Sequence, residues 1–332
     1  MLETCFSPNK TKIPLGILES IGNSPIVNLK RLDISEHLNV YAKLENTNPS
    51  GSLKDRTSLF ILKKALKDGL IKEGSTIIES SSGNMALGLA QACLYLKLNL
   101  IVVVDPYINQ ATKDLLKVYG ANIHVVTQPN KHGNYLEARL ECVKQKLQEV
   151  PNSFWPNQYG NPNSPKAYYA MMDELMNSLN HNLDYLFIAT STCGTLMGCA
   201  NYLTVNNYNT KIIAVDAKGS ILFGGKPNKR LIPGHGSSVP SKFLDRSKIH
   251  DIVQVDDLEC VIGCHKLLKS ESILCGGSTG GVLSAIKKYT KYLPYQSRCA
   301  FLISDRGERY LNTIYNDSWL HENFSTFNKS II

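Results

Sequence analysis

A chain of 332 residues, 43% apolar and 19% charged, has room for two ordinary α/β domains or one large one. Its net charge of +8 comes from 36 basic residues scattered among 28 acidic ones, with no basic tract and no interleaved aromatics, so nucleic acid is not an expected partner. No apolar run reaches the length of a membrane span, and the opening MLETCFSPNKTKIPLG lacks a basic n-region and an apolar h-region, which makes a cytoplasmic protein the expectation.

In chain order, LESIGNSPIVNLKRL (18–32) predicts a turn over Gly22 to Pro25 and a short strand over 26–29. A strand over 39–45 follows, then a turn of Asn48, Pro49, Ser50, Gly51 and Ser52, then an amphipathic helix over 54–67 that begins at Lys54. Strands over 76–80, 98–105 and 122–126 alternate with helices over 84–96, 110–119 and 135–148, the signature of a parallel sheet wrapped by helices. The Pro/Asn/Gly-rich stretch 151–165 is the expected domain boundary.

Beyond it the pattern resumes with helix 167–179, strand 184–189, helix 194–203 and strand 211–217. An irregular region, 218–246, carries Gly219, Gly224, Gly225, Gly234 and Gly236, as substrate loops do. Strand 252–255, helix 257–270, the turn CGGSTGG (275–281), helix 281–292 and strand 300–304 close the chain, and the tail after Leu320 is expected to fray or lie on a partner subunit.

Three turns carry chemistry. Lys54, on the first turn of a helix behind a Ser/Gly turn, faces the positive end of the helix dipole, which favours the neutral amine a Schiff-base lysine must supply. The turns ESSSGN (79–84) and TSTCGT (190–195) each link an apolar strand to a helix through small residues, an arrangement that aims backbone N–H groups at an anion. Together they suggest a ligand with a carboxylate, a phosphate and an aldehyde, bound at the carboxyl ends of the strands. Nine cysteines form no CxxC pair and read as reduced thiols. Cys260 and Cys264 share a helical face beside His265, but no second ligand pair lies nearby, so metal is not expected.

From IGNSPIVNL through NPSGSLKDR, SSGN, VYGAN, TSTCGT and GGSTGG to DRGERYL, the chain resembles the fold-type II pyridoxal-phosphate enzymes, the cysteine synthase and cystathionine β-synthase group. The resemblance implies a two-domain α/β fold of the tryptophan synthase β type, each domain a mostly parallel sheet wrapped by helices. A smaller domain, 39–155, would carry the substrate-carboxylate loop, and a larger one, 12–38 plus 156–332, the cofactor phosphate loop. It implies that Lys54 holds pyridoxal 5'-phosphate and serves as acid and base at Cα, and that Asn84 bonds the phenolic oxygen. Ser191, Thr192, Cys193, Gly194 and Thr195 match the phosphate loop, with Ser191 and Cys193 where glycines are usual, which puts a positive-φ loop in doubt. Ser278 falls where a neutral hydroxyl meets the pyridine nitrogen, a choice that favours β-elimination over transamination. Ser81, Ser82, Gly83 and Met85 match the substrate-carboxylate turn, with Met85 in place of threonine and Ala86 in place of glycine.

Within that group, VVDPYI, HGNYLEAR, VDAKGSILFGGKP, DDLECVIGCHKLL and ISDRGERYLNTIYNDSWL resemble the O-phosphoserine-dependent synthases of 2,3-diaminopropionate biosynthesis in siderophore and antibiotic pathways. That likeness implies phosphate loss from O-phosphoserine, addition of the amine of glutamate, a homodimer, and a downstream dehydrogenase acting on the product. Lys218 is the expected substrate-binding cation, with Lys226, Lys229, Arg230 and Arg139 as further ones. Arg306 and Arg309 read as structural. The alternatives are a cysteine synthase using sulfide with O-acetylserine or O-phosphoserine, and a non-catalytic cofactor- or partner-binding relative, against which Lys54 argues. A nucleotide- or sugar-phosphate-binding protein is disfavoured by the lack of a G-x-G-x-x-G or Walker loop.

Overall fold

The computed structural model describes residues 16–131 and 133–325. Residues 12–15 of the expected larger domain, His132 of the HGNYLEAR stretch and tail residues 326–332 lie outside them.

The chain builds two sheets. The larger takes β1 (Ile26–Asn28), β2 (Asn39–Lys43), β7 (Tyr185–Ala189), β8 (Lys211–Ala217), β9 (Asp251–Val255) and β10 (Arg298–Leu302), in the order β1-β2-β10-β7-β8-β9. All pairs in it are parallel except β1 with β2. The smaller takes β3 (Thr76–Ser80), β4 (Asn99–Val104), β5 (Asn122–Val125) and β6 (Ser153–Phe154), in the parallel order β5-β4-β3-β6. Burial on both faces explains why TIIES and NLIVVV read as near-continuous apolar runs: Ile77, Ile78, Val102, Val103 and Val104 are all fully buried.

Helices α1 (Lys54–Lys67), α2 (Asn84–Tyr95), α3 (Gln110–Val118) and α4 (Tyr135–Glu149) accompany the smaller sheet. The short α5 (Asn163–Lys166), then α6 (Tyr169–Ser178), α7 (Gly194–Val205), α8 (Asp257–Glu271), α9 (Gly277–Tyr289) and α10 (Asp317–Asn323) follow the larger one. Leu59, Ile61, Leu62 and Ala65 of α1 join one apolar cluster with α2, β3 and β4, whereas α6, α7, β7 and β8 share another.

Four observations depart from expectation. The strand expected at the start of the smaller unit, β2, pairs with β10 over Asn39 to Lys43 and so lies in the larger sheet. The 151–165 stretch is not purely connecting chain, since β6 pairs with β3. Helix α9 begins at Gly277, four residues before its expected start. A Cβ on Gly280 would stand 2.1 Å from the Cys260 carbonyl oxygen, and one on Gly263 would stand 1.9 Å from that of Gly280. Gly280 and Gly281 are therefore helix–helix contacts between α9 and α8, whereas Gly276 and Gly277 are held small by Asp305, Ile232 and Ile314, and Ser278 sits on a helical first turn. The tail also starts in order: α10 runs to Asn323 with Leu320 fully buried.

Candidate active site

The carboxyl ends of both sheets face a cavity of about 260 Å³. Lys54 enters it from the first turn of α1. The preceding turn is locked by Asp55, whose carboxylate accepts from the Ser50 N–H at 2.7 Å and from the Ser50 hydroxyl. Burial pushes the Asp55 carboxyl up to about 6, against the pull of those two bonds. The next residue, Arg56, donates to both oxygens of Glu45 (2.7 and 2.9 Å) and both of Glu174 (2.8 and 2.7 Å), while Lys43 reaches Glu174 at 2.7 Å. Lys54 Nζ lies 3.0 Å from the Tyr168 hydroxyl and 3.4 Å from Thr195 Oγ1. The Tyr168 oxygen also accepts from Thr57 Oγ1 at 2.7 Å.

Opposite Lys54 the TSTCGT turn opens α7. Ser191, Thr192, Cys193 and Thr195 line the cavity, and Gly194 lies between them as the first residue of α7. Cys193 takes the left-handed conformation (φ 66°, ψ 6°), so the position expected to need positive φ does need it and is filled by a residue with a side chain. Ser191 is not among the positive-φ residues. The turn is held by the Ser241 hydroxyl, which donates to the Thr192 carbonyl at 2.7 Å. The first N–H groups of α7 have no acceptor within the helix and point with its dipole into the cavity mouth, a cradle for a phosphate.

The third wall is the ESSSGN turn. Ser81 Oγ accepts from the Gly83 and Ala86 N–H groups, both at 3.3 Å, which leaves its own hydrogen free to donate. Ser82, Gly83 and Met85 also line the cavity, although Met85 is 2% exposed and mostly packs beneath α2, its sulfur 3.4 Å from Ser58 Oγ. Asn84 donates one N–H to Asp305 Oδ2 at 2.9 Å. Because that carboxylate can only accept, the amide orientation is fixed and its second N–H remains for another acceptor. Ser278 lines the same cavity from α9.

The structure thus brings together Lys54, Ser81, Ser82, Gly83, Asn84, Met85, the 191–195 turn and Ser278. It does not bring Lys218 among them. That side chain is 56% exposed and ion-paired with Asp256 at 3.0 Å and Glu259 at 4.0 Å, the two carboxylates of the α8 capping box. Cys260, Cys264 and His265 also lie elsewhere, the last held by the Ile314 carbonyl at 2.9 Å from Nε2. Sequence reasoning passed over Tyr168, Gln158, Tyr159 and Asp305, which line the cavity or touch Lys54. Only the motif DRGERYL carried a signal for one of them, since it contains Asp305.

An amine, an anion cradle on a helix N-terminus, an amide N–H and a hydroxyl around one cavity fit pyridoxal phosphate: amine to aldehyde, cradle to phosphate, amide to phenolic oxygen. The fold is that of a fold-type II pyridoxal-phosphate enzyme. The chain belongs to the family described as pyridoxal-phosphate dependent enzyme, whose model matches residues 17–305. It is 42% identical to the N-(2-amino-2-carboxyethyl)-L-glutamate synthase of Ralstonia nicotianae over 309 residues, 93% of this chain and 91% of that relative. Among solved structures it is similar to the O-acetylserine dependent cystathionine beta-synthase of Helicobacter pylori, with a TM-score of 0.85 and 30% identity over 92% of this chain and 100% of that one. It is also similar to O-acetylserine sulfhydrylase isoform 3 of Entamoeba histolytica, with a TM-score of 0.85 and 26% identity over 98% of this chain and 96% of that one.

Proposed function

We propose that this enzyme replaces the phosphate of O-phospho-L-serine with the amine of L-glutamate, giving N-(2-amino-2-carboxyethyl)-L-glutamate. The observation that carries this reading is the 42% identity over 93% of the chain to a synthase of that name. In the net reaction the Cβ–O bond breaks, inorganic phosphate leaves with the electron pair, and the glutamate nitrogen forms a Cβ–N bond and gives up a proton. The proton lost from Cα is returned to Cα. When bound, pyridoxal phosphate supplies the electron sink that makes the Cα proton removable.

In this reading the chain's own groups do the rest. Lys54 Nζ, steadied by Tyr168 and Thr195, holds the cofactor and carries the Cα proton. The 191–195 turn binds the cofactor phosphate, Asn84 the phenolic oxygen and Ser278 the pyridine nitrogen. The free hydrogen of Ser81, with Ser82, Gly83 and Met85, receives the substrate carboxylate. Arg139 of α4 takes over the role expected of Lys218. Its side chain is 10% exposed, its Nε has no hydrogen-bond partner among the described residues and lies 3.5 Å from Asp105 Oδ2, and it lines the cavity, a cation suited to a leaving phosphate dianion.

The same reading makes the product a precursor of 2,3-diaminopropionate for a siderophore or antibiotic, passed to a dehydrogenase, with the enzyme a cytoplasmic homodimer. Among the described residues no helix is long and apolar enough to cross a membrane. The test is phosphate release from O-phosphoserine by the cofactor-loaded enzyme, with glutamate or sulfide as acceptor and products identified by mass. The glutamate adduct is expected, and it is expected to vanish in Lys54→Ala. Cysteine from sulfide with no glutamate adduct would replace this reading with the cysteine synthase one, which the O-acetylserine sulfhydrylase likeness supports.

A further inference from the structure

Beneath the substrate side of the cavity lies a carboxylate with no role in the chemistry above. Glu79, the fourth residue of β3, is fully buried one step before the 80–85 turn. It accepts from the Ser80 N–H at 2.8 Å, the Trp155 indole N–H at 3.1 Å and the Gln158 N–H at 3.2 Å, with the Asn157 N–H contributing as well. Three of these four donors belong to 155–158, a segment with no regular structure beyond β6. A second link runs alongside: Gln158 Nε2 donates to the Ser80 carbonyl at 2.9 Å. Gln158 and its neighbour Tyr159 line the cavity facing Ser81 to Met85.

We propose that Glu79 is a positioning residue for the amino-acid substrate, its carboxylate clamping 155–159 to the 80–85 turn so that Gln158 and Tyr159 complete the substrate-binding wall. This rests on the reading above that the 80–85 turn receives the substrate, and it does not depend on which β leaving group is used. A glutamine cannot substitute. Four N–H donors converge on two oxygens, and an amide would set an NH₂ against some of them.

The clamp also has a titration of its own. Burial raises the Glu79 carboxyl to about 7, although all four N–H donors pull it down. The charged and titratable groups facing the same wall are Asp105 after β4, Arg139 of α4 and the half-buried Tyr159 phenol. Trp155 reports on Glu79 directly through its indole N–H, and the chain holds only one other tryptophan, Trp319.

The experiment compares Glu79→Gln and Trp155→Phe with the parent holoenzyme, all checked for native circular dichroism. Amino-acid affinity is read from the change in cofactor absorption with O-phosphoserine, O-acetylserine and L-serine, using the ligand the parent binds best. Glu79→Gln is expected to weaken that affinity roughly tenfold, and Trp155→Phe, which removes one donor, about threefold, with cofactor affinity and kcat within about threefold of the parent. In a Trp319→Phe background, Trp155 emission is expected to titrate near neutral pH and to lose that titration in Glu79→Gln. If Glu79→Gln does not fold, Trp155→Phe and the emission titration carry the test. Unchanged amino-acid affinity, or an equal loss of cofactor affinity, would overturn the proposal. A parent that binds O-acetylserine but not O-phosphoserine sinks the substrate assignment and leaves the Glu79 test intact, whereas a parent that binds none of the three sinks both.

Discussion

Replacing Arg56 with methionine should destabilise the enzyme in a pH-dependent way that can be worked out from its partners. Arg56 is 6% exposed and bonds Glu45, which is fully buried, and Glu174, whose side chain is 18% exposed. Burial raises the Glu174 carboxyl, and Arg56 and Lys43 more than reverse this, holding it at about 2 against an ordinary 4.5. That depression corresponds to about 3.4 kcal/mol at ~1.36 kcal/mol per pH unit, and partial exposure discounts it to roughly 2–3 kcal/mol. Loss of one partner of a buried ion pair costs about 3–5 kcal/mol, because among the described residues Glu45 is left with Lys43 at 3.9 Å as its only nearby cation. The folded-state value lies below the unfolded one, so this stability is present above pH 4.5 and is lost as pH falls toward 2. Urea unfolding of cofactor-saturated parent and Arg56→Met should therefore show a gap of about 3–5 kcal/mol at pH 6, narrowing by about 1 kcal/mol at pH 3.5. A gap below about 1 kcal/mol at pH 6, or one that does not narrow on acidification, would refute the view that Arg56 neutralises both acids.

Two further substitutions probe the cofactor side. Tyr168→Phe removes the hydroxyl 3.0 Å from Lys54 Nζ while keeping a fully buried ring, so kcat should fall about tenfold with substrate affinity unchanged, as separate kcat and KM measurements would show. Cys193→Gly relieves a left-handed strain of about 1 kcal/mol and loses a buried thiol of similar worth, so its thermal midpoint should stay near that of the parent. Cys193→Ala keeps the strain and loses the thiol, and should unfold about 1–2 °C earlier. Equal midpoints for the two variants would show that the turn is not strained.

Local signals explain what the sequence revealed of the fold. Periodicity and turn residues place α1, β3 and β8 at the bounds expected, because Gly, Ser or Asn lies at or within two residues of the ends of each, as Ser52 and Gly69 do for α1 and Asn209 and Gly219 for β8. What it concealed was non-local. Nothing in NVYAK says that it pairs with a strand more than 250 residues away, yet β10 draws β2 into the larger sheet. GGSTGG looks like a turn until α8 lies against its second glycine pair, when the missing Cβ atoms of Gly280 and Gly281 become a helix crossing. Lys218 was a plausible anion ligand by loop composition, but the nearest acids, Asp256 and Glu259, were cap residues whose pull on it appears only once α8 is folded. Tyr168 and Gln158 reach the cavity by tertiary packing alone, and no spacing marks them.

The position of Lys54 gives the site its logic. The chain crosses from the larger sheet to the smaller between β2 and β3, and α1 makes that crossing. Its apolar residues from Leu59 onward pack with α2 and the smaller sheet. Its first turn is tied the other way, through Arg56 to Glu174 of α6 and through Lys54 to Tyr168 and Thr195. The amine and the phosphate cradle therefore share one frame, while the smaller sheet supplies the 80–85 turn and Asn84. Asn84 in turn is tied back across the cavity to Asp305, just after β10. In the proposed reading a ligand anchored by amine and cradle would be held mainly against the larger unit, with Asn84 as its tie to the smaller one, and Ser81 to Gly83 of the smaller unit would recognise what reacts with it. Divergence of β-replacement enzymes in their second substrate can then proceed in 80–83, 155–159 and α4 without disturbing the lysine, the cradle or Asn84.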